Sequence, residues 1–122
     1  VKVIIAGSRT LTDPALVEKA TRKSGFFISE VVSGCARGID TLGIEWAEAR
    51  GIPVKRFPAD GDFMLSTSLG GFGRNGDMAA YAEALILVWD AVSGGSGNML
   101  EHARFQAKKR PFPIYTLIPS FE

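Results

Sequence analysis

The chain has little of what many chemistries depend on. One cysteine in 122 residues excludes an intrachain disulfide framework and suits a reducing compartment. A single histidine, without ligand spacing to that cysteine, argues against a structural zinc site, and no metal or cofactor is expected. No GxxxxGK[ST] is present, so there is no P-loop. No GxGxxG follows the first apolar run and no acidic residue ends the second, so the dinucleotide fingerprint is absent. The longest apolar runs are strand-sized, far short of the ~20 residues of a membrane span. Val1 to Ala6 has no cleavage-type flank for a secretory signal. A cytoplasmic chain with no membrane partner is therefore expected. Charge is scarce in net terms too: 14 Lys+Arg against 13 Asp+Glu leave +1, which argues against a long polyanion as main partner.

What is present is the make-up of a globule, 46% hydrophobic and 22% charged, of a length that fits one domain over residues 1–122. Glycine is the excess, 14 of 122 residues against a typical ~7%. Val3-Ile4-Ile5-Ala6 reads as a strand buried on both faces. Asp13-Pro14 supplies a helix N-cap and a proline at the first helical position, and Gly25 a stop. Val31-Val32 is a second strand. The next helix carries Ile39, Leu42, Gly43, Trp46 and Ala47 on one face. Val54 to Phe57 make strand three, and residues 58–73 read as a long loop. A helix from about Arg74 leads into the strand Ala84 to Trp89. Ser93 to Gly97 read as a glycine loop, with a helix from about Asn98 to Lys109 and a fifth strand over Pro113 to Ile118.

Alternating strands and helices predict an α/β fold: a Rossmann-like three-layer α/β/α sandwich on a parallel five-stranded sheet of order 3-2-1-4-5. Ligands in such sheets sit outside the carboxyl ends of the strands, at the switch point. The unusual loops fall there. Gly7-Ser8-Arg9 follows strand one. In SGCARGID, Gly34 and Gly38 let backbone amides approach a ligand, and Arg37 adds charge at a helix N-terminus. Asp40 is placed to cap helix amides or to meet a ribose hydroxyl. Cys35 beside Arg37 and a helix start is expected to have a lowered pKa. After strand four, Asp90 precedes Ser93, Gly94, Gly95 and Ser96, where small residues let the backbone close on phosphate and the serine hydroxyls donate to it. Arg74 and Asn75 reach in from the helix after the long loop. Two helix ends and two or three arginines supply on the order of 5–12 kcal/mol toward an anion, against about 8 for micromolar binding. A small phosphorylated ligand fits. The basic run Lys108-Lys109-Arg110 is what a helix C-terminus favours on its own account.

GSRT, VVSGCARGID, IPVKRFPAD, GRNGDMAAYAEALILVWD and SGGSGNM, in this order, resemble the YspA/YpsA-related branch of the SLOG superfamily. The resemblance implies a Rossmann-like domain that holds a nucleotide or nucleotide-derived, ADP-ribose-like ligand at its loop ends, as sensor or processor, in bacterial and phage conflict systems among others. The superfamily includes the LOG phosphoribohydrolases. Arg74 to Met78 is similar to their arginine segment, RKxxM. Their PGGxGTxxE loop can be laid on Ser93 to Asn98 in two registers, which put the catalytic glutamate at Met99 or at Glu101. Arg74, Glu101 and Asp90 are accordingly the candidates for cleavage of an N-glycosidic bond in a nucleoside monophosphate. SGCARGID is also similar to a signature of the Smf/DprA proteins, which makes single-stranded DNA a second alternative partner. Dimers are common among such relatives, and Met64, Phe72, Phe105 and Phe112 are candidates for a homodimer face.

Overall fold

The computed structural model describes residues 1–58 and 71–119. Its elements run β1 (Lys2–Gly7), α1 (Pro14–Ser24), β2 (Glu30–Ser33), α2 (Ile39–Ala49), β3 (Val54–Arg56), α3 (Gly71–Tyr81), β4 (Ala84–Val88), α4 (Gly94–Ala107) and β5 (Ile114–Leu117). All strand pairings are parallel and the order is β3-β2-β1-β4-β5, the Rossmann-like α/β arrangement that the alternation predicts.

The pleat divides each central strand between two cores. Val3 and Ile5 of β1, with Ala84, Ile86 and Val88 of β4, pack on α1 and α2 through Val17, Ala20, Ile39 and Ala47. Ile4 and Ala6, with Leu85 and Leu87, pack on α3 and α4 through Met78, Ala79, Met99 and Ala103. Burial on both faces is why β1 and β4 read as unbroken apolar runs rather than alternating ones.

Local signals act where the residues predict them. Asp13 caps α1 by accepting from the Ala15 amide, Pro14 opens the helix and Gly25 closes it at φ 71°. Two boundaries differ. α3 begins at Gly71, ahead of Arg74, and of the expected 58–73 loop, residues 59–70 lie outside the described residues. α4 begins at Gly94, so the glycine-serine run is the first helical turn and not a loop. The chain turns earlier, at Asp90 to Val92: the Asp90 carboxylate accepts from the amides of Val92 (2.9 Å) and Ser93 (2.8 Å) while Ala91 takes φ 71°. That turn aims the backbone into a helix despite the low helix propensity of glycine.

Of the candidate dimer face, Phe112 is buried in the core at 4% exposure and Phe105 is 53% exposed. Met64 and the side chain of Phe72 lie outside the described residues. Phe112 is thus a core residue, docked on the α3/α4 side of the sheet. No helix among the described residues is long and apolar enough to cross a membrane.

Candidate functional site

β1 and β4 stay paired to their carboxyl ends, Gly7 beside Val88, and Ser8 ties together the loops that follow them. Gly7 must be glycine here, since a Cβ would stand 1.8 Å from the Val88 carbonyl oxygen. Ser8 is 1% exposed. Its amide donates to Val88 O (3.1 Å) and its carbonyl accepts from Ile39 at the start of α2 (3.3 Å). Its hydroxyl accepts from the Asp90 amide (3.0 Å) and lies 3.3 Å from Ser93 Oγ. The proton order follows from Asp90. Its carboxyl is held below the usual range by the Val92 and Ser93 amides and the Ser93 hydroxyl, so it only accepts. Ser93 Oγ donates to it at 2.8 Å, and Ser8 must then donate to Ser93. Both hydroxyl protons are committed. In this arrangement Ser93, expected as a donor to phosphate, gives its proton to Asp90, and Ser8 and Asp90 hold the turn.

Beyond this turn, the N-terminus of α4 is bare. Ser93 makes no side-chain cap bond, and the first helical hydrogen bond is Gly97 N to Ser93 O at 3.0 Å. The amides of Gly94, Gly95 and Ser96 precede it and have no acceptor among the described residues. A Cβ on Gly94 or Gly95 would meet nothing within 4 Å. Opposite stands Asn75, 4% exposed, whose amide nitrogen donates to Gly95 O (3.2 Å) and Asn98 Oδ1 (3.1 Å). Asn75 therefore fixes α3 against the first turn of α4.

The segment after β2 is built differently. Ser33 Oγ accepts from the Cys35 amide (3.1 Å) and donates to Asp40 O (3.2 Å); Asp40 Oδ2 accepts from the Ala36 amide (3.2 Å); Thr41 Oγ1 donates to Ala36 O (2.7 Å). Gly38 is the N-cap at φ 74°, and a Cβ there would lie 2.4 Å from Ser8 O. Asp40 lies inside α2 and holds the preceding loop, where sequence reasoning makes it a helix cap. Gly34 leaves a gap that two charges share. A Cβ on it would stand 2.9 Å from both Arg74 Cζ and Asp40 Oδ2. Arg74, 9% exposed, donates from Nη1 to Gly34 O (2.8 Å), while its buried Nε has no partner among the described residues. Burial pushes the Asp40 carboxyl up to about 6, against the opposing pull of the Ala36 and Gly7 amides, Arg74 and Arg9. The Cys35 thiol is raised, mainly by burial and despite Arg56. This corrects the lowered value expected of it.

These parts enclose a cleft of about 410 Å³. It gathers Gly7, Ser8, Arg9, Asp40, Arg74, Asn75, Asp90, Ser93, Gly94, Gly95 and Ser96. Gly34, Cys35, Arg37 and Gly38 are not among the lining residues; Gly34 and Gly38 act on the cleft through packing, and Arg37 is exposed. Glu101 is also exposed and outside the cleft, whereas Met99, the other register's position, lines it. Met78 and Met99, both 1% exposed, form an apolar floor that sequence reasoning does not assign. Helical spacing carried the signal, since Met78 is four residues after Arg74 and Met99 three after Ser96. Within the basic run, Arg110 donates to Ala79 O (2.7 Å) and Lys109 Nζ lies 4.4 Å from the Phe105 ring centre, so part of that charge is spent on packing. No group of His, Cys, Asp and Glu among the described residues could hold a metal ion.

No curated protein matches the chain, and no solved structure does. A family model described as YAcAr, the YspA, cpYpsA-related SLOG family, matches residues 1–62, the stretch from β1 through β3 that contains the Ser8 and Asp40 segments and stops before Arg74 and the α4 turn. With half of its length matched and the strand order that its sequence predicts, the chain belongs to the YspA, cpYpsA-related SLOG family.

Proposed function

We propose that the chain binds a nucleotide or a nucleotide-derived, ADP-ribose-like ligand in this cleft, as sensor or processor, with a phosphoryl group at the N-terminus of α4. The observation that carries the reading is the uncapped first turn of α4 lining the same cleft as a buried arginine whose Nε has no partner among the described residues. Free helix amides and a guanidinium donate only, so an anionic acceptor is the complement that both lack. Arg9, exposed at the rim with no side-chain partner among the described residues, adds a second cation. The methionine floor offers an apolar face to a base or ribose, and the volume is that of a small-molecule pocket.

Binding without turnover is the reading the lining favours over N-glycosidic cleavage. Of the catalytic candidates, Glu101 lies outside the cleft and Asp90 spends its carboxylate on the turn. Arg74 supplies charge but no exchangeable acid. Isothermal titration calorimetry with ADP-ribose and AMP tests the reading. Arg74→Ala is expected to weaken the tighter of the two by roughly 10- to 150-fold, the range of a hydrogen bond to a charged group. Absence of binding by both nucleotides, or full affinity in a folded Arg74→Ala variant, would overturn it.

A further inference from the structure

The cleft carries a carboxyl where its ligand carries negative charge. Asp40 and Arg74 meet in the space left by the missing Gly34 side chain, each within 2.9 Å of the same point. Yet Arg74 Nε keeps its proton unshared among the described residues, and Nη1 is given to a backbone carbonyl instead. Arg74 is thus screened by Asp40 but not saturated by it. The charged groups acting on Asp40 come from two sides, Arg74 from α3 and Arg9 from the loop after β1, while the Cys35 thiol in its own loop is kept neutral by burial. Counting the lining, Arg9 and Arg74 are balanced by Asp40 and Asp90 when all four are ionised. Asp90 stays ionised because the turn donates three hydrogen bonds to it. Among the described residues of the lining, Asp40 is the carboxyl whose charge is free to change.

Resting on the binding reading above, we infer that the cleft takes up a proton together with its anion, Asp40 being the group that carries it. An anion at Arg74 sets a second negative charge beside a carboxyl that is 5% exposed, where like charges disfavour ionisation. Protonation removes that repulsion, releases Arg74 to the ligand, and turns one Asp40 oxygen into a donor. The raised value of about 6 puts the exchange within reach of neutral pH. In this account the site prefers a fixed anion in acid solution and lets it go as pH rises.

The test uses sulfate, whose charge is constant over the range, with chloride at equal ionic strength as control. The Asp40 carboxyl carbon is followed by NMR against pH in the full chain, and the amides of Gly94, Gly95 and Ser96 report whether sulfate is bound. Sulfate is expected to raise the Asp40 midpoint by about one pH unit, equivalent to about tenfold tighter binding to the protonated form. In Asp40→Asn the amide response to sulfate should lose its pH dependence, while His102→Gln, outside the cleft, should keep it. Amides that respond while the Asp40 midpoint stays fixed would overturn the proton coupling alone. Amides that do not respond at any pH would overturn the binding reading beneath it. Because the wild-type titration decides the matter, a poorly folded Asp40→Asn variant leaves the outcome intact.

Discussion

Two glycine-bearing segments follow strands and lead into helices, and they use glycine for opposite ends. Between β2 and α2, Gly34 and Gly38 are spaces the fold fills: one with the meeting of Arg74 and Asp40, the other with the backbone of Ser8. Ser33, Asp40 and Thr41 tie that segment to itself through the Cys35 and Ala36 amides and the Ala36 and Asp40 carbonyls. At the start of α4, Gly94 and Gly95 have ordinary helical backbone and open space around them, and the amides they carry are unused. The first segment is held by its own side chains, with Arg74 Nε at its edge still without a partner among the described residues. The second leaves its amides without an acceptor among the described residues, which is where the proposed ligand would sit.

The largest effect should come from filling the first segment. Gly38→Ala puts a Cβ 2.4 Å from Ser8 O at φ 74°, and backbone strain with overpacking is expected to cost roughly 2–5 kcal/mol in urea unfolding. A variant as stable as wild type would erase the contrast. Next comes the charge held in that segment. The Asp40 carboxyl is raised from 3.8 to about 6 in the fold, so the folded state holds the proton more tightly than the unfolded one. Stability should therefore be greatest below about pH 4 as far as this group is concerned, fall between about pH 4 and about pH 6, and level off above, by on the order of 2–3 kcal/mol. Unfolding of wild type and Asp40→Asn across that window isolates the contribution, which the variant should lack. The arginines separate the segments by function. Arg9→Ala, at the cleft rim, should weaken ADP-ribose binding by about tenfold, and Arg37→Ala, outside the lining, should leave calorimetric affinity within about twofold. The smallest effect is the most diagnostic of the second segment. Gly95→Ala should keep stability or add up to about 1 kcal/mol, because nothing opposes the Cβ and alanine favours the helix; a loss in thermal unfolding would show that the fold, too, needs this glycine.

Much of the fold was legible because its signals are local or periodic. β1 and β4 show as apolar runs, α1 by Asp13, Pro14 and Gly25, and the sheet order from the alternation of elements. The site was legible as a set of loops but not as roles. Ser93 reads as a phosphate donor until Asp90, three residues earlier, claims its proton. Arg37 reads as a ligand-binding cation because sequence places it between Gly34 and Asp40, yet which arginine enters the cleft is decided by α3 crossing over Gly34. The start of α4 was missed for a similar reason: Gly94 and Gly95 weaken a helix locally, and the turn at Asp90 imposes one. Cys35 sits near a positive charge in the sequence, but burial outweighs it. In each case a contact from elsewhere in the chain decides.

The contrast between the segments is tested most directly by titrating the isotope-labelled chain with ADP-ribose and following backbone amides by NMR. The largest shifts should fall on Gly94, Gly95 and Ser96, with the amides of Ala36 to Gly38 moving little. Shifts gathered on the Ala36 to Gly38 stretch, with the first turn of α4 silent, would contradict the account.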